Sequence, residues 1–167
     1  MRSLLREKRN ASDVQNDPAS QFILEYYDKK NSVNTFLLAI SFLEEMLILI
    51  WKRQMPNDPL PKGSSILRYE PLLKKLGLDL NNLPCWGVVK DAYLLRNCLL
   101  HANGRIHLMR NRAEIRSCIK RHEDVLDVKL EIIAISPLFL ERCIYAIQEL
   151  IEKMLIGVDS SVKCNKG

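Results

Sequence analysis

The sequence predicts an all-α protein, an up-down bundle of four or five helices, and three observations lead there. Apolar residues recur at steps of three and four over several long stretches. Glycine and proline are sparse, 6 and 7 in 167 residues. Evenly spaced short strands separated by tight turns, the mark of an all-β chain, are missing. One short extended segment near residues 128–135 is the expected exception. The length suits one domain with a real core, placed at residues 1–157, followed by a flexible polar tail at 158–167.

Met1 to Arg9 reads as a short basic helix and Asn10 to Ala19 as a polar loop, with another helical segment over Gln21 to Lys30. The strongest helix spans Val33 to Gln54. Phe36, Ile40, Leu43, Leu47 and Ile50 form its stripe, and Asn31 or Ser32 can cap its start. Pro56 and Pro59 end it. Leu60 to Ser65 is a connector, and Ile66 to Leu76 a short helix stopped by Gly77.

The next helix begins at Pro84, whose fixed φ suits a first helical position. Trp86, Val89, Tyr93 and Leu100 give its stripe, and Gly104 suits a left-handed C-terminal cap after His101 to Asn103. A base-rich stretch follows from Arg105 to His122, where Asn111 can cap a helix. Val128 to Ile132 alternates as a short strand. Ser136 and Pro137 open the last helix. Its expected face is Leu140, Ile144, Ile147, Ile151 and Leu155, and Gly157 is expected to close it.

Apolar residues make up 47% of the chain and charged residues 27%, a globular rather than a disordered composition. The net charge of +5 tilts the choice of partners toward polyanions. Five cysteines, an odd number with no CxxC spacing, argue against a disulfide framework or a zinc site and for a reducing compartment. The first residues are too charged for a secretory signal, and the unbroken apolar run Met46 to Trp51 is too short for a bilayer. A cytoplasmic protein without membrane contact is expected.

GxGxxG, P-loop, GxSxG and HExxH motifs are all lacking. With His101, His107 and His122 as its three histidines, the chain offers little for a metal centre, and neither metal nor cofactor is expected. Glu44 and Glu45 point about 100° apart on a helix, so they read as a solvated or salt-bridged pair.

The run Arg96-Asn97-Cys98-Leu99-Leu100-His101 is different. Asn97 and His101 are i, i+4 neighbours on one helix face, with Arg96 one residue round. An imidazole near neutrality can act as general acid or base. The Arg96 guanidinium is a permanent planar fork for phosphate, and the Asn97 amide can orient either neighbour or substrate. Such a set suits RNA cleavage without metal, through attack of the ribose 2′-hydroxyl. Spacing alone does not decide, because Arg116 and His122 form a similar pair in a polar basic segment.

The wider stretch Leu94 to Gly104 resembles the signature helix of the HEPN family (higher eukaryotes and prokaryotes nucleotide-binding), with arginine, a polar residue, three further residues and histidine. The resemblance implies a dimeric helical bundle whose signature helices face each other across a cleft. It also implies a metal-independent endoribonuclease of toxin–antitoxin, phage-defence or stress systems, with catalytic Arg96, Asn97 and His101. Asn103 departs from the branch that carries a tyrosine two residues after the histidine, which puts tyrosine-based regulation in doubt. Arg96 and His101 stand about 140° apart round one helix, so a homodimer completing the site also makes geometric sense. Arg105, Arg110, Arg112 and Arg116 would flank it as RNA-binding residues. An antitoxin or other partner protein is the expected regulator of such an enzyme. The alternatives are a catalytically inactive HEPN-like module binding a partner protein or a nucleotide, and a small DNA-binding regulator without a convincing helix-turn-helix.

Overall fold

The computed structural model describes residues 17–63 and 65–164, and among them three long helices, two short ones and one two-stranded hairpin make up the regular structure, with three single 3-10 turns between them. The basic segment Met1 to Arg9 lies outside the described residues.

The two segments expected over Gln21–Lys30 and Val33–Gln54 are one helix, α1 (Pro18–Gln54). No glycine or proline interrupts it after Pro18, and asparagine or serine inside a helix costs only tenths of a kcal/mol. The cap is therefore Asp17 rather than Asn31 or Ser32: its carboxylate accepts the Ser20 amide at 3.0 Å. Phe36, Ile40, Leu43, Leu47 and Ile50 are buried as their spacing predicts, joined by Trp51. By length and composition α1 is apolar enough to cross a membrane, a property that counting only the run Met46 to Trp51 does not register.

A 3-10 turn (Ile66–Tyr69) leads into α2 (Glu70–Lys75), which ends before Gly77 at a φ of +77°. Helix α3 (Pro84–Ala102) starts on Pro84 as expected. Trp86, Val89 and Tyr93 are buried, but Leu100 is half-exposed and Ala92, Leu95, Cys98 and Ala102 complete the inner face. Helix α4 (Arg112–Arg121) follows Asn111, whose side chain meets Glu114 instead of capping the backbone.

Helix α5 (Pro137–Cys164) opens on Ser136, which accepts the Phe139 amide at 3.1 Å. Its core face is Phe139, Cys143, Ala146, Ile147, Leu150 and Met154. The expected stripe is thus turned by about one residue, leaving Ile144 and Leu155 41% and 46% exposed. Gly157 does not close this helix, which runs on to Cys164 through part of the expected tail. A Cβ there would stand 2.6 Å from the Leu76 carbonyl. Glycine is present so that the end of α2 can press against α5.

Helices α1, α3 and α5 run up, down and up. Phe36 on α1 meets Phe139 on α5, ring centroids 6.1 Å apart, and the later residues Ala39 and Phe42 line a groove with Ile144 and Ile151. Cys85 at the start of α3 feels the charges of Glu149 and Lys153 late in α5, which sets α3 antiparallel to it. Cys85, Cys98, Cys118 and Cys143 are free and buried, and burial pushes the Cys118 and Cys143 thiols up to about 12. They serve as small core residues.

The extended segment is a hairpin, β1 (Leu126–Lys129) paired antiparallel with β2 (Ile132–Ile135), Lys129 opposite Ile132. Its two-residue turn places Leu130 at φ +52° and Glu131 at φ +61°. Positive φ at both positions is what a right-twisting hairpin demands, yet neither residue is of the Asn-Gly type that tolerates it. Leu130 is also 93% exposed. Replacing the pair by Asn-Gly should therefore stabilise the protein by about 1 kcal/mol and raise its Tm by roughly 2–4 °C. Differential scanning calorimetry checks this, and an unchanged or lower Tm would count against the strained turn.

Candidate functional site

The end of α3 is fixed by the hairpin. Asn103 and Gly104 both adopt positive φ, and the Gly104 amide donates to the Cys98 carbonyl at 3.1 Å. The chain then lies along β2: Ile133 N–H donates to Gly104 O at 3.0 Å, and Ile106 N–H to Glu131 O at 2.9 Å. A Cβ on Gly104 would sit a tight 3.2 Å from the Ile133 carbonyl on a backbone with φ of +78°, so glycine suits both the turn and the close approach. His101 is thereby held on the last turn of a clamped helix, and it is exposed.

Lys90, Leu94, Asn97 and His101 follow one another at steps of four, three and four, one stripe along α3. Arg96 lies to the side of it. Its guanidinium nevertheless turns toward the stripe and donates to the Asn97 side-chain oxygen at 3.0 Å. The wide angular gap expected between Arg96 and the Asn97–His101 face is narrowed by this bend. On its other side the guanidinium meets Glu44 of α1 at 3.5 Å and lies 5.4 Å from the centre of the Tyr93 ring.

Glu44 organises the neighbourhood. One of its oxygens accepts from Arg68 at 3.0 Å and from the Tyr93 hydroxyl at 2.8 Å, and the other faces Arg96. Burial and the bond to Glu44 push the Tyr93 hydroxyl up to about 12, which keeps it a neutral donor. The expectation of a salt-bridged Glu44 is met, while Glu45 is exposed. The sequence did carry a signal: Glu44 stands four residues after Ile40 and three before Leu47, on the core stripe itself, where an unpaired carboxylate would be costly.

Beside the α3 stripe opens a groove of about 690 Å³, walled by Lys90, Leu94 and Asn97 of α3, by the Ser65–Leu67 stretch and by α4. From α4 it is Glu114, Ser117 and Arg121 that face it. Arg105, Arg110, Arg112 and Arg116 are all exposed, but none lines this groove. Arg112 and Arg116 occupy another side of α4, and Arg116 pairs with Glu131 at 3.0 Å. The two cations at the groove are Lys90 and Arg121, neither of which the sequence singled out.

The second arginine–histidine pair is not a pair in space. His122 is buried, its ring edge-on to Phe139 at 5.1 Å. Its Nε2 donates to the Asp91 carboxylate at 3.0 Å, and its Nδ1 accepts from Arg142 at 3.3 Å. Arg121 grips the same Asp91 through two bonds, and that contact holds its guanidinium above the usual arginine range. Arg142 in turn holds the Asp124 carboxyl below the usual carboxylate range. The donor atoms of Asp91, Cys118 and His122 lie within 4.8 Å of one another, a grouping of metal-ligand types. Two guanidinium groups already serve Asp91 and His122, and burial keeps the Cys118 thiol protonated up to about 12. The cluster is a hydrogen-bonded tie between α3, α4 and α5.

What the site offers chemically is an exposed imidazole and an amide on one helix face with a restrained guanidinium to the side, the amide also lining an open groove. Searches against family models, curated proteins and solved structures find no match to this chain.

Proposed function

We propose that the chain is a metal-independent endoribonuclease, HEPN-like in its signature helix. The observation that carries this reading is the Arg96–Asn97 contact one helical turn before the exposed His101, with Asn97 also lining an open groove. His101 exchanges a proton with the attacking 2′-hydroxyl or the leaving oxygen, Arg96 stabilises charge on the phosphate, and Asn97 orients Arg96. Lys90 offers a cation along the groove, whereas Arg121 is held by Asp91, and Glu114 brings an opposing charge. A role as a toxin or defence effector in the cytoplasm, held in check by a partner protein, is what the family resemblance adds.

One observation favours a second reading. Arg96 is already engaged by Glu44, as is Arg68, so part of its charge is spent inside the protein. A catalytically inactive helical interaction module fits that pairing. Incubating purified wild type and His101→Ala with mixed RNA in EDTA separates the two. Cleavage by the wild type alone, leaving 2′,3′-cyclic phosphate ends, supports the enzyme. Absence of cleavage by both, or strict dependence on magnesium, overturns it.

A further inference from the structure

Helix α1 is apolar on two sides. Opposite its core face runs a stripe of Leu24, Tyr27, Leu38, Phe42 and Leu49, which are 54%, 59%, 70%, 53% and 54% exposed. Their spacings of 3, 11, 4 and 7 residues are near whole helical turns, so the five lie within roughly 60° of one another and roughly 150° from the core stripe. At Phe42 the stripe joins a largely apolar groove of about 300 Å³ shared with Ile144 and Ile151 of α5. That is why the sequence pattern of α5 pointed to Ile144 and Leu155: the second stripe is real, but it faces solvent.

The first four turns of α1, residues 18–32, are almost wholly exposed. An isolated helical arm of that length is marginal in water, and a continuous helix cannot fold its own arm back onto its own groove. We infer that this stripe docks a second copy of the chain, with the two α1 helices antiparallel about a two-fold axis near Val33. Under that symmetry Leu24 of one copy meets Phe42 of the other, and Tyr27 approaches Leu38. Each arm covers the other copy's exposed body. The seam is isologous, and residues at three- and four-residue spacing are those that interlock between paired helices.

Area and polarity agree with this occupant. The five half-exposed side chains of the stripe amount to on the order of 500 Å² per copy, and the side chains between them bring the seam toward the ~800 Å² per partner of a stable interface. Asn31 and Glu45 lie on the same face. In a bilayer they would be costly, whereas polar positions within a helix seam fix its register. Phe42 stands about 160° round α1 from Glu44, which meets Arg96. Docking here leaves the α3 face uncovered, in contrast to the pairing through α3 that the family resemblance implies. It holds whether or not the chain cleaves RNA.

Sedimentation velocity on the full chain at 1–50 µM (roughly the range in which a standard-size interface is occupied) tests it. The wild type should sediment at twice the 19.3 kDa chain mass. Leu38→Glu/Phe42→Glu should sediment as a single chain, and Leu138→Glu, a leucine of comparable exposure elsewhere, should remain a dimer. Leu24→Glu/Tyr27→Glu repeats the test in the arm, outside the core, where a charge cannot unfold the domain. A wild-type monomer overturns the inference, as does a dimer that survives both double substitutions. So does a monomer that floats with phosphatidylcholine–phosphatidylglycerol vesicles, which would assign the stripe to lipid.

Discussion

Asp91→Ala should lower the stability of the protein by roughly 3 kcal/mol, the scale on which one partner is lost from a buried, hydrogen-bonded charge network. The Asp91 side chain is 12% exposed and accepts from His122 and from both arms of Arg121. Its removal takes the carboxylate acceptor from the Nε2–H of a 7% exposed imidazole. It also cuts α4 loose from α3. Urea denaturation followed by far-UV circular dichroism gives the number. Asp91→Asn, which keeps the shape and one acceptor, should lose about half as much. Asp124→Ala removes an exposed carboxylate from Arg142 and should change little. If Asp91→Ala and Asp124→Ala proved equally mild, the network would be surface decoration rather than a tie between helices.

The same network marks where the sequence was legible and where it was not. Periodicity found the body of every long helix, although it read α1 as two segments, and Pro84 and the Ser136-Pro137 pair fixed two helix starts, because caps and first-turn prolines act locally. It failed where two apolar stripes share one helix. On α5, Ile144 and Leu155 repeat as regularly as Cys143, Leu150 and Met154, and only the neighbours α1 and α3 select the inner set. It failed again at Gly157, where the requirement is the approach of Leu76 from 81 residues earlier in the chain rather than a helix end.

The polar residues follow the same logic. Asp91 stands on the stripe that continues through Leu95, Cys98 and Ala102, as Glu44 stands between Ile40 and Leu47. A carboxylate on a core stripe announces a buried partner, although sequence cannot say which cation comes to it. Arg96, Asn97 and His101 were readable because helix geometry alone relates them. That Arg96 is shared with Glu44, and that Lys90 and Arg121 rather than Arg105, Arg110, Arg112 and Arg116 flank the groove, depends on how α3, α4 and α1 pack.

His101→Ala and Arg96→Ala should each slow RNA cleavage by roughly 10²-fold or more, the usual cost of removing a general acid–base or a contact to transition-state charge. The measurement must be made at saturating RNA, so that lost binding is not mistaken for lost turnover. Arg116→Ala should leave the saturated rate nearly unchanged, since Arg116 is paired with Glu131 away from the groove. His122→Ala is the sharper control. Its imidazole is buried against Phe139 and Asp91, so its loss should lower the denaturation midpoint while the rate, taken well below that midpoint, stays close to wild type. Glu44→Gln separates positioning from chemistry: it keeps an acceptor for Tyr93 but weakens the hold on Arg96, and should lower kcat less than Arg96→Ala does. If His122→Ala abolished turnover in a folded protein while His101→Ala did not, the reacting histidine would be the buried one, and the exposed face of α3 would have no part in the chemistry.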